Sequence, residues 1–344
     1  MLRIGTWAMP VDPAGLDFVR EVERLGLDSV WVPEFWGFDA LTPLAASAAV
    51  TERIRLATGI VQLGTRTPAM LAMSAMSLQH LSEGRFVLGV GTSGPQVMEG
   101  WHGVPFDKPV TRTRETIEII RTVTAGERLT YDGAVHRLPL PGGEGKALRS
   151  AAPPVHVPIH VAALGPRNLG LTGELADGWI GNSFFTETAD VFLDPIRSGA
   201  AAAGRAENDV ELTVSVGVEF TDDVDEAARR HAAGYAFTFG AMGSAATNFY
   251  NQAFARQGWG EQVAEVQRLW LAGDRDAAAD AVPAEIGRRT NLIGPPEEIR
   301  RRLLEYRACG VHTLRVSPSG ESVDERLACL GQLFDLAADV NANS

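Results

Sequence analysis

The segment VGTSGPQVMEGWHG (90–103) carries more reactive and polar groups than a simple chain connection requires. Thr92 and Ser93 offer hydroxyl and backbone N–H groups that suit the edge of a heterocycle or a sugar-alcohol chain. Glu99 and His102 add a carboxylate and an imidazole, side-chain types that move protons in enzymes. The ordinary pKa of His lies close to neutrality, so His102 is the main candidate for a proton donor. The alternatives are that Glu99 caps a helix or forms a salt bridge to Arg112 or Arg114, and that His102 only packs this segment against the following helix.

A second segment, AALGPRNLGLTGELADGW (162–179), has the pattern of a strand, a Gly-Pro turn and a helix. Pro166 suits the first turn of a helix, where a backbone N–H would have no partner within the helix. The free N–H groups near 165–168 would then point outward from the positive end of the helix, which favours a phosphate group. The segment predicts a phosphate site, with an ordinary helix start as the alternative.

A third segment, TGIVQLG (58–64), has a glycine inside an apolar strand pattern. Glycine in such a position usually marks a bulge or the close approach of another group. We therefore expect an interruption of this strand near Gly59.

These segments need a framework, and the sequence alternates between strand and helix patterns. Predicted strands cover 2–8, 29–34, 55–63, 85–91, 158–164, 178–182, 211–220 and 311–318. Predicted helices cover 15–27, 41–52, 68–84, 111–126, a segment from Pro166, 187–203 and 295–310. Alternating elements with nearly continuous apolar strands indicate a parallel sheet that is covered on both faces. Eight strands favour a closed (β/α)8 TIM barrel over an open doubly wound sheet, since no Gly-x-Gly-x-x-Gly motif opens the first helix.

Two regions depart from this alternation, and we interpret residues 1–344 as a single barrel domain that contains both. Residues 127–157 include an Asp-Gly turn between short alternating runs, which predicts a hairpin followed by a surface loop. Residues 223–290 have helical patterns and no convincing strand. Because this region is too long for one crossover, we expect a helical insertion before the last strand.

The active sites of TIM barrels lie at the carboxyl ends of the strands. The residues predicted at these ends are Trp7, Glu34, Phe35, Trp36, Gly59, Ile60, Gly91, Thr92, Ser93, Ala163, Leu164, Gly165, Asn182 and Glu219. This set contains no cluster of ligands suited to a metal, no Ser-His-Asp combination and no lysine. Such an apolar, aromatic mouth suits a flat organic cofactor that brings its own reactivity. An apolar or aromatic substrate face is predicted from Trp7, Phe35, Trp36 and Phe38, with Phe184 and Phe185 as further candidates.

Composition narrows the class of partner. The chain is 45% hydrophobic and 22% charged, as in ordinary globular proteins. Its net charge of −12 argues against nucleic acid and anionic membranes, both of which attract cationic surfaces. No apolar run is long enough to span a bilayer and no secretory pattern opens the sequence, so we expect a cytoplasmic protein with a small-molecule substrate. Cys309 and Cys329 lack metal-ligand spacing and predict free thiols.

Several motifs together resemble the bacterial luciferase-like superfamily. They are SVWVPE (29–34), ATGIVQLGTRTP (57–68), GTSGPQVMEGWHGVPFDKP (91–109), HVAALGPRNLGLTGELADGW (160–179) and LIGPPEEIRRRLLEYRACGV (292–311). The resemblance extends from residue 2 to about 335 and is weakest over 223–290. Within the superfamily the sequence is most similar to the coenzyme F420-dependent oxidoreductases, the branch that includes methylenetetrahydromethanopterin reductase. The segment 91–109 is the most specific part.

The resemblance implies a cofactor site, position by position. Family members hold the cofactor ring against a bulge in the third strand that contains a non-prolyl cis peptide bond, and the matching bond here is Gly59–Ile60. Glu34 matches an acidic residue near the edge of the deazaflavin ring. The other matching positions are Thr92, Ser93, Val97, Ala162, Ala163, Leu164, Gly165 and Asn182.

The sequence also departs from part of the family. Phe35 and Gly94 stand where the sugar-phosphate dehydrogenases of the family carry His and Glu, and the lysines that would bind a sugar phosphate are missing. This argues against glucose 6-phosphate as the substrate. The remaining candidates for an acid or base are His102, Glu99, Glu34 and Glu219.

Three functions remain open from the sequence. The first is a coenzyme F420-dependent oxidoreductase that moves a hydride between C5 of the deazaflavin and a small organic substrate. The second is an FMN-dependent luciferase-like monooxygenase, and the third is a barrel that binds a cofactor without turnover. The segment 91–109 favours the first because it resembles the deazaflavin-using branch.

The second and third predicted helices carry more apolar surface than a helix on a barrel needs. LTPLAASAAV (41–50) and PAMLAMSAMSLQHL (68–81) are apolar over more than one face, whereas one apolar stripe suffices to cover a sheet. Excess apolar surface usually marks an interaction site. Because family members commonly pair through helices on one side of the barrel, we expect a homodimer or a higher even oligomer.

Overall fold

Eight parallel strands close into a barrel in the computed structural model, which describes residues 1–242 and 248–342. In chain order the strands are β1 (Arg3–Trp7), β2 (Ser29–Val32), β3 (Arg55–Thr58), β4 (Val61–Gln62), β5 (Phe86–Gly91), β6 (Tyr131–Asp132), β7 (Arg137–Leu138), β8 (Ile159–Ala162), β9 (Gly178–Gly181), β10 (Glu211–Phe220), β11 (Leu292–Gly294) and β12 (Thr313–Pro318). The barrel runs β1-β2-β3-β5-β8-β9-β10-β12, and β12 pairs with β1 to close it. The predicted (β/α)8 TIM barrel is confirmed.

Helices surround the barrel and follow most of its strands. They are α1 (Pro13–Arg24), α2 (Leu41–Ala48), α3 (Pro68–Leu81), α4 (Pro109–Thr124), α5 (Pro166–Leu175), α6 (Asp190–Ala202), α7 (Val224–Ala233), α8 (Tyr235–Ala241), α9 (Phe249–Phe254), α10 (Gly260–Leu271), α11 (Arg275–Asp280), α12 (Ala284–Thr290), α13 (Pro296–Ala308) and α14 (Val323–Ala342). Several begin as the sequence predicts. Thr67, for example, accepts the Met70 N–H just before Pro68, so the side chain pairs a donor that the helix itself leaves free.

Period-two alternation divides the apolar residues between two layers. One set of strand residues packs outward against the helices and forms the main core, as Phe86, Leu88 and Val90 of β5 do. The other set points into the barrel, where Trp31, Ala57, Val87 and Ile180 form a small separate cluster. The interior of the barrel is therefore filled with side chains, and the groups packed on this interior cluster determine the shape of the barrel mouth.

Two details of the sheet differ from a regular barrel. The third barrel strand stops at Thr58 and resumes as β4 at Val61, and the intervening Gly59–Ile60 peptide bond is cis. The predicted interruption and the cis bond implied by the resemblance are both present. The short strand β11 was not anticipated. It pairs with the last three residues of β10, which has ten residues and extends past its neighbours in the barrel.

The two regions that interrupt the strand–helix alternation have structure of their own. β6 and β7 form an antiparallel pair around the turn at Gly133. Between β10 and β11 the described chain folds into helices α7 to α12 with a separate apolar cluster, which includes Phe185, Phe239 and Phe254. The expected helical region 223–290 also contains residues 243–247, which lie outside the described residues.

Three further features concern the residues that the structure describes. No helix there is long and apolar enough to cross a bilayer. In the same part of the chain no three His, Cys, Asp or Glu side chains lie close enough together to hold a metal ion. Cys309 and Cys329 are both free thiols, as the sequence predicts.

Candidate functional site

A cavity of about 730 Å³ opens at the carboxyl ends of the barrel strands. This volume lies within the range of small-molecule and cofactor sites. The cavity brings together residues from most of the barrel strands. Those named from the sequence are Trp7, Glu34, Phe35, Trp36, Gly59, Ile60, Thr92, Ser93, Val97, Ala162, Ala163, Leu164, Gly165 and Asn182. The cavity therefore contains every position that the resemblance assigned to the cofactor.

The floor of the cavity is an apolar shelf around the cis peptide bond. Ile60 and Ala162 pack on the interior cluster of the barrel and line the cavity from below. Glycine at position 91 keeps this shelf open, because a Cβ there would lie 3.1 Å from two side-chain carbons of Ile60. A shelf with this apolar surface suits one face of a planar ring.

One wall of the cavity is the amino-terminal end of α5. Gly165 caps this helix without a side-chain hydrogen bond, and among the described residues the first backbone N–H groups of α5 have no side-chain acceptor. Residues 162–168 all line the cavity, and the buried Oδ1 of Asn168 has no hydrogen-bond partner within the described part of the chain. A Cβ at Gly165 would meet nothing within 4 Å. Open space at a free helix N-terminus is suited to a phosphate group.

The first half of the segment 91–102 lines the cavity, and its second half lies at the protein surface. Thr92, Ser93 and Val97 line the cavity, and a helical turn over Gln96–Trp101 is anchored by the buried Met98. Ser93 has a φ of 57°, a conformation that few residues other than glycine adopt. This backbone conformation turns the chain at the cavity rim.

Glu99 and His102, both predicted to do acid–base chemistry, are exposed and do not line the cavity. Glu99 accepts the Phe106 N–H at 3.1 Å and thus braces the loop. It does not pair with Arg112 or Arg114, because these arginines form ion pairs with Asp107 and Glu174, respectively. The interpretation of His102 as proton donor gains no support from this placement. The helical turn at Gln96–Trp101, which carries the chain outward, could not be read from residue types.

Glu34 is the predicted acid–base residue that does reach the cavity, and it is buried in an ion pair. Its carboxylate accepts hydrogen bonds from Nη1 and Nη2 of Arg66 at 2.8 and 2.7 Å and from the Ala40 N–H at 3.1 Å. The side-chain amide of Gln62 donates to the backbone oxygens of Glu34 and Phe35. The end of β2 is thus tied to the segment after β4, which holds the aromatic residues of this wall in place.

Four other residues suggested from the sequence lie elsewhere. Phe184 and Phe185 are 1% exposed and fill apolar clusters behind the cavity, because the chain after β9 turns into the core. Phe38 is exposed and lies outside the lining. Glu219 pairs with Arg230 and His231 of α7 and does not line the cavity. The expectation that these residues border the cavity is wrong.

The most unusual polar group of the cavity, the side chain of Arg315 on β12, is not among the residues predicted from the sequence. It is 3% exposed, and its guanidinium carbon lies 3.6 Å from the centre of the Trp7 ring. Burial lowers its pKa to about 9. The signal was present, because Leu314 and Val316 face the helices and period-two alternation turns Arg315 into the barrel. Tyr250 and Phe249 of α9 also line the cavity and were not singled out.

The cavity thus combines an apolar shelf, a helix end suited to phosphate, and polar groups at separate points of its wall. The residues fit a phosphate-bearing cofactor with a planar ring. Ile60 and Ala162 would support the ring, residues 165–168 the phosphate, and Gln62, whose buried Oε1 has no partner within the described residues, could accept a ring N–H.

Sequence comparison gives one family and several close relatives. The model of the family described as luciferase-like monooxygenase matches residues 11–313. Over 334 residues the chain is 37% identical to a Mycobacterium tuberculosis protein, covering 94% of this chain and 96% of that protein. That protein is named as a coenzyme F420-dependent oxidoreductase, an assignment that its name marks as provisional. The chain is also 28% identical over 337 residues to the 5,10-methylenetetrahydromethanopterin reductase of Methanolobus tindarius, covering 96% and 99% of the two chains.

Comparison of structures supports the same fold. The coenzyme F420-dependent tetrahydromethanopterin reductase of Methanopyrus kandleri superposes with a TM-score of 0.77 over 96% of this chain and 97% of that one. The two sequences are 22% identical, so this similarity concerns the fold alone.

Proposed function

The chain belongs to the luciferase-like monooxygenase family, and we propose that it is an oxidoreductase that uses coenzyme F420 to transfer a hydride to or from a small organic substrate. The observation that carries the proposal is the cavity itself. Glu34, the Gly59–Ile60 shelf, the 92–97 rim and the end of α5 all line one space of about 730 Å³. The names of the M. tuberculosis and M. tindarius relatives support an oxidoreductase over a barrel without turnover.

The residues of the chain would each have a separate task toward this cofactor. Ile60 and Ala162 would support one face of the ring and leave the other face toward the substrate. The N–H groups at the start of α5 would bind the phosphate, and Thr92 and Ser93 would bind the chain that joins it to the ring. When bound, the deazaflavin supplies or accepts the hydride at its C5 carbon, a task for which the described cavity residues offer no substitute.

An FMN-dependent monooxygenase is the second candidate function, since monooxygenases give the family its description. The segment 91–109, with its resemblance to the deazaflavin-using branch, and the F420-dependent relative that matches 94% of this chain favour the first candidate. The two candidates differ in reaction class, because deazaflavin does not form the stable oxygen adduct on which flavin monooxygenases depend.

We further propose that the substrate has an apolar or aromatic body. Trp7, Phe35 and Trp36 line the cavity from the barrel side, and Phe237 and Phe249 line it from the helical region. Large planar side chains on two sides favour a flat or apolar substrate, since they bury much surface with little loss of side-chain freedom.

The double variant Thr92→Ala/Ser93→Gly should raise the Kd for coenzyme F420 about tenfold, measured by quenching of cofactor fluorescence. Two lost hydrogen bonds of about 0.5–1.5 kcal/mol each account for this factor. Glycine is chosen at position 93 because the φ of 57° there would strain alanine. His102→Ala, an exposed residue of the same segment, is the matched control and should leave the Kd within about twofold. An unchanged Kd in the double variant would mean that Thr92 and Ser93 do not contact the cofactor.

We also propose that the protein is a homodimer or a higher even oligomer through α3. Met70, Met73 and Leu81 are 50%, 56% and 61% exposed and lie at spacings that share one face of this helix. Met73→Lys should convert the oligomer to a monomer in light scattering at micromolar concentration, because a charge cannot be buried there without a partner. Leu271→Lys on α10, where the leucine is 60% exposed, is the matched control. A monomeric wild-type protein would contradict the proposal.

A further inference from the structure

The Arg315 side chain is a buried cation whose charge no carboxylate of the described residues balances. Arg315 is 3% exposed, and its Nη1 has no hydrogen-bond partner among the described residues. Arg315 lines the cavity, so this buried guanidinium group with an unpaired Nη1 borders the ligand space. A buried donor without an acceptor costs free energy, and for a charged group the cost is larger.

The guanidinium group is held in one orientation. Nε and Nη2 both donate to the Oγ of Ser215 on β10, with Nε at 3.1 Å. The plane stacks on Trp7, 3.6 Å from the ring centre, and a Cβ built on Gly59 would lie 2.7 Å from Nη1. Among the described residues Nη1 is therefore the guanidinium nitrogen without a hydrogen-bond partner, and it lies close to Gly59 of the shelf that would carry the cofactor ring.

The neighbouring ionisable groups do not neutralise this charge. Within the described chain the one titratable group that affects Arg315 electrostatically is Tyr250 of α9. Burial raises the pKa of the Tyr250 phenol, which stays neutral at physiological pH. The carboxylate of Glu34, which also lines the cavity, already forms an ion pair with Arg66. A bound molecule is thus the remaining source of a counter-charge.

The cofactor phosphate is a poor candidate for this counter-charge. Its proposed site at the start of α5 follows β8, whereas Arg315 lies on β12. In the closed order of the barrel these strands are separated by β9 and β10 on one side and by four strands on the other. Arg315 and the phosphate site are therefore on well-separated walls, with the ring shelf and the aromatic residues between them.

We propose that Arg315 binds a carboxylate of the substrate through Nη1, so that the substrate of this enzyme is an organic acid with an apolar or aromatic body. This inference rests on the proposed function, since it assigns to the substrate the part of the cavity that the cofactor ring leaves open. A single free edge nitrogen accommodates one carboxylate oxygen, and a charge-assisted bond of this kind is short and strong when water is excluded. Tyr250 of α9, which also lines the cavity, would offer its phenol to the second oxygen.

Calorimetric titration of the F420-saturated protein with pairs of probes tests the assignment. The pairs are benzoate, cinnamate, phenylacetate and hexanoate, each with its neutral primary amide. We expect at least one carboxylate to bind about tenfold or more tightly than its amide, and Arg315→Gln to reduce that ratio to about one. Arg302→Gln is the matched control, because Arg302 is also buried but lies outside the cavity and pairs with Glu305. It should leave the ratio unchanged.

The same titration distinguishes the possible failures. If the wild-type protein does not bind F420, the proposed function fails. If F420 binds but no carboxylate is preferred over its amide, the assignment of Arg315 to the substrate is overturned. It is equally overturned if Arg315→Gln weakens F420 and leaves the carboxylate preference intact. Should Arg315→Gln not fold, Ser215→Ala removes the acceptor that orients the guanidinium, and an unchanged ratio in that variant contradicts the proposal.

The carboxylate preference should also depend on pH in a defined direction. The guanidinium must be protonated to bind an anion, and burial lowers its pKa to about 9. The preference should therefore hold from pH 6 to 8 and decline above pH 9, while amide binding stays constant. A preference that is already lost between pH 6 and 8 would contradict binding by the guanidinium, which is protonated throughout that range.

Discussion

Gly91→Val should raise the Kd for coenzyme F420 about 100-fold. Gly91 ends β5 and lines the cavity beside the shelf. Its Cβ would lie 3.1 Å from Ile60 and 3.4 Å from the Cβ of Ala162, and the γ carbons of valine extend further. The side chain must therefore either displace Ile60 or occupy the space proposed for the ring. Overpacking of this kind costs up to about 3 kcal/mol, which corresponds to a factor of about 100 in binding.

The control for Gly91→Val is Gly145→Val, at an exposed glycine whose added Cβ would meet nothing within 4 Å. This variant should bind F420 as the wild type does. Thermal melting of both variants shows whether each is folded, and Gly91→Ala offers a smaller step if valine prevents folding. Tight F420 binding by folded Gly91→Val would mean that the ring does not lie on the Ile60 shelf.

Arg66→Leu should lower the free energy of unfolding by about 2–3 kcal/mol, measured by chemical denaturation. The Arg66 and Glu34 side chains are 23% and 8% exposed, so the substitution leaves a buried carboxylate whose remaining donor among the described residues is the Ala40 N–H. Removing one partner of a fully buried pair costs about 3–5 kcal/mol, and the partial exposure of Arg66 reduces this figure. The loss should also loosen the end of β2, which carries Phe35 and Trp36.

Two comparisons isolate the buried charge as the cause. Adding Glu34→Gln to Arg66→Leu should recover part of the lost stability, because the neutral amide is cheaper to bury than the carboxylate. Arg229→Leu breaks the exposed pair with Glu226 and should leave the denaturation midpoint unchanged. If Arg66→Leu is as stable as Arg229→Leu, the Glu34–Arg66 pair does not hold this part of the mouth.

The barrel and most of its mouth could be predicted because both follow from local patterns. Apolar strand segments alternate with amphipathic helices, and parallel strands bring their carboxyl ends to one rim. Any polar or aromatic residue directly after a strand therefore lies near that rim, as Trp7, Glu34 and Asn182 do. The interruption at Gly59 was readable for the same reason, since glycine has little other use inside a buried strand.

The remaining errors arise where a long connection or a side-chain direction decides the outcome. His102 is ten residues beyond Thr92, and a helical turn between them carries it to the surface. Phe184 and Phe185 follow a strand end as Phe35 does, but the chain there turns into the core. Arg315 was missed because it lies within β12 and not at its end, although strand alternation turns it inward.

Titration of the purified protein with oxidised coenzyme F420 and, separately, with FMN tests the central claim most directly. Each cofactor is fluorescent, and burial against Trp7 and Ile60 should quench it on binding. The proposed function predicts saturable, one-to-one binding of F420 with at least about 100-fold preference over FMN, a difference of about 2.7 kcal/mol. Tighter binding of FMN would favour a flavin monooxygenase, and the absence of saturable binding of either cofactor would contradict the cofactor site altogether.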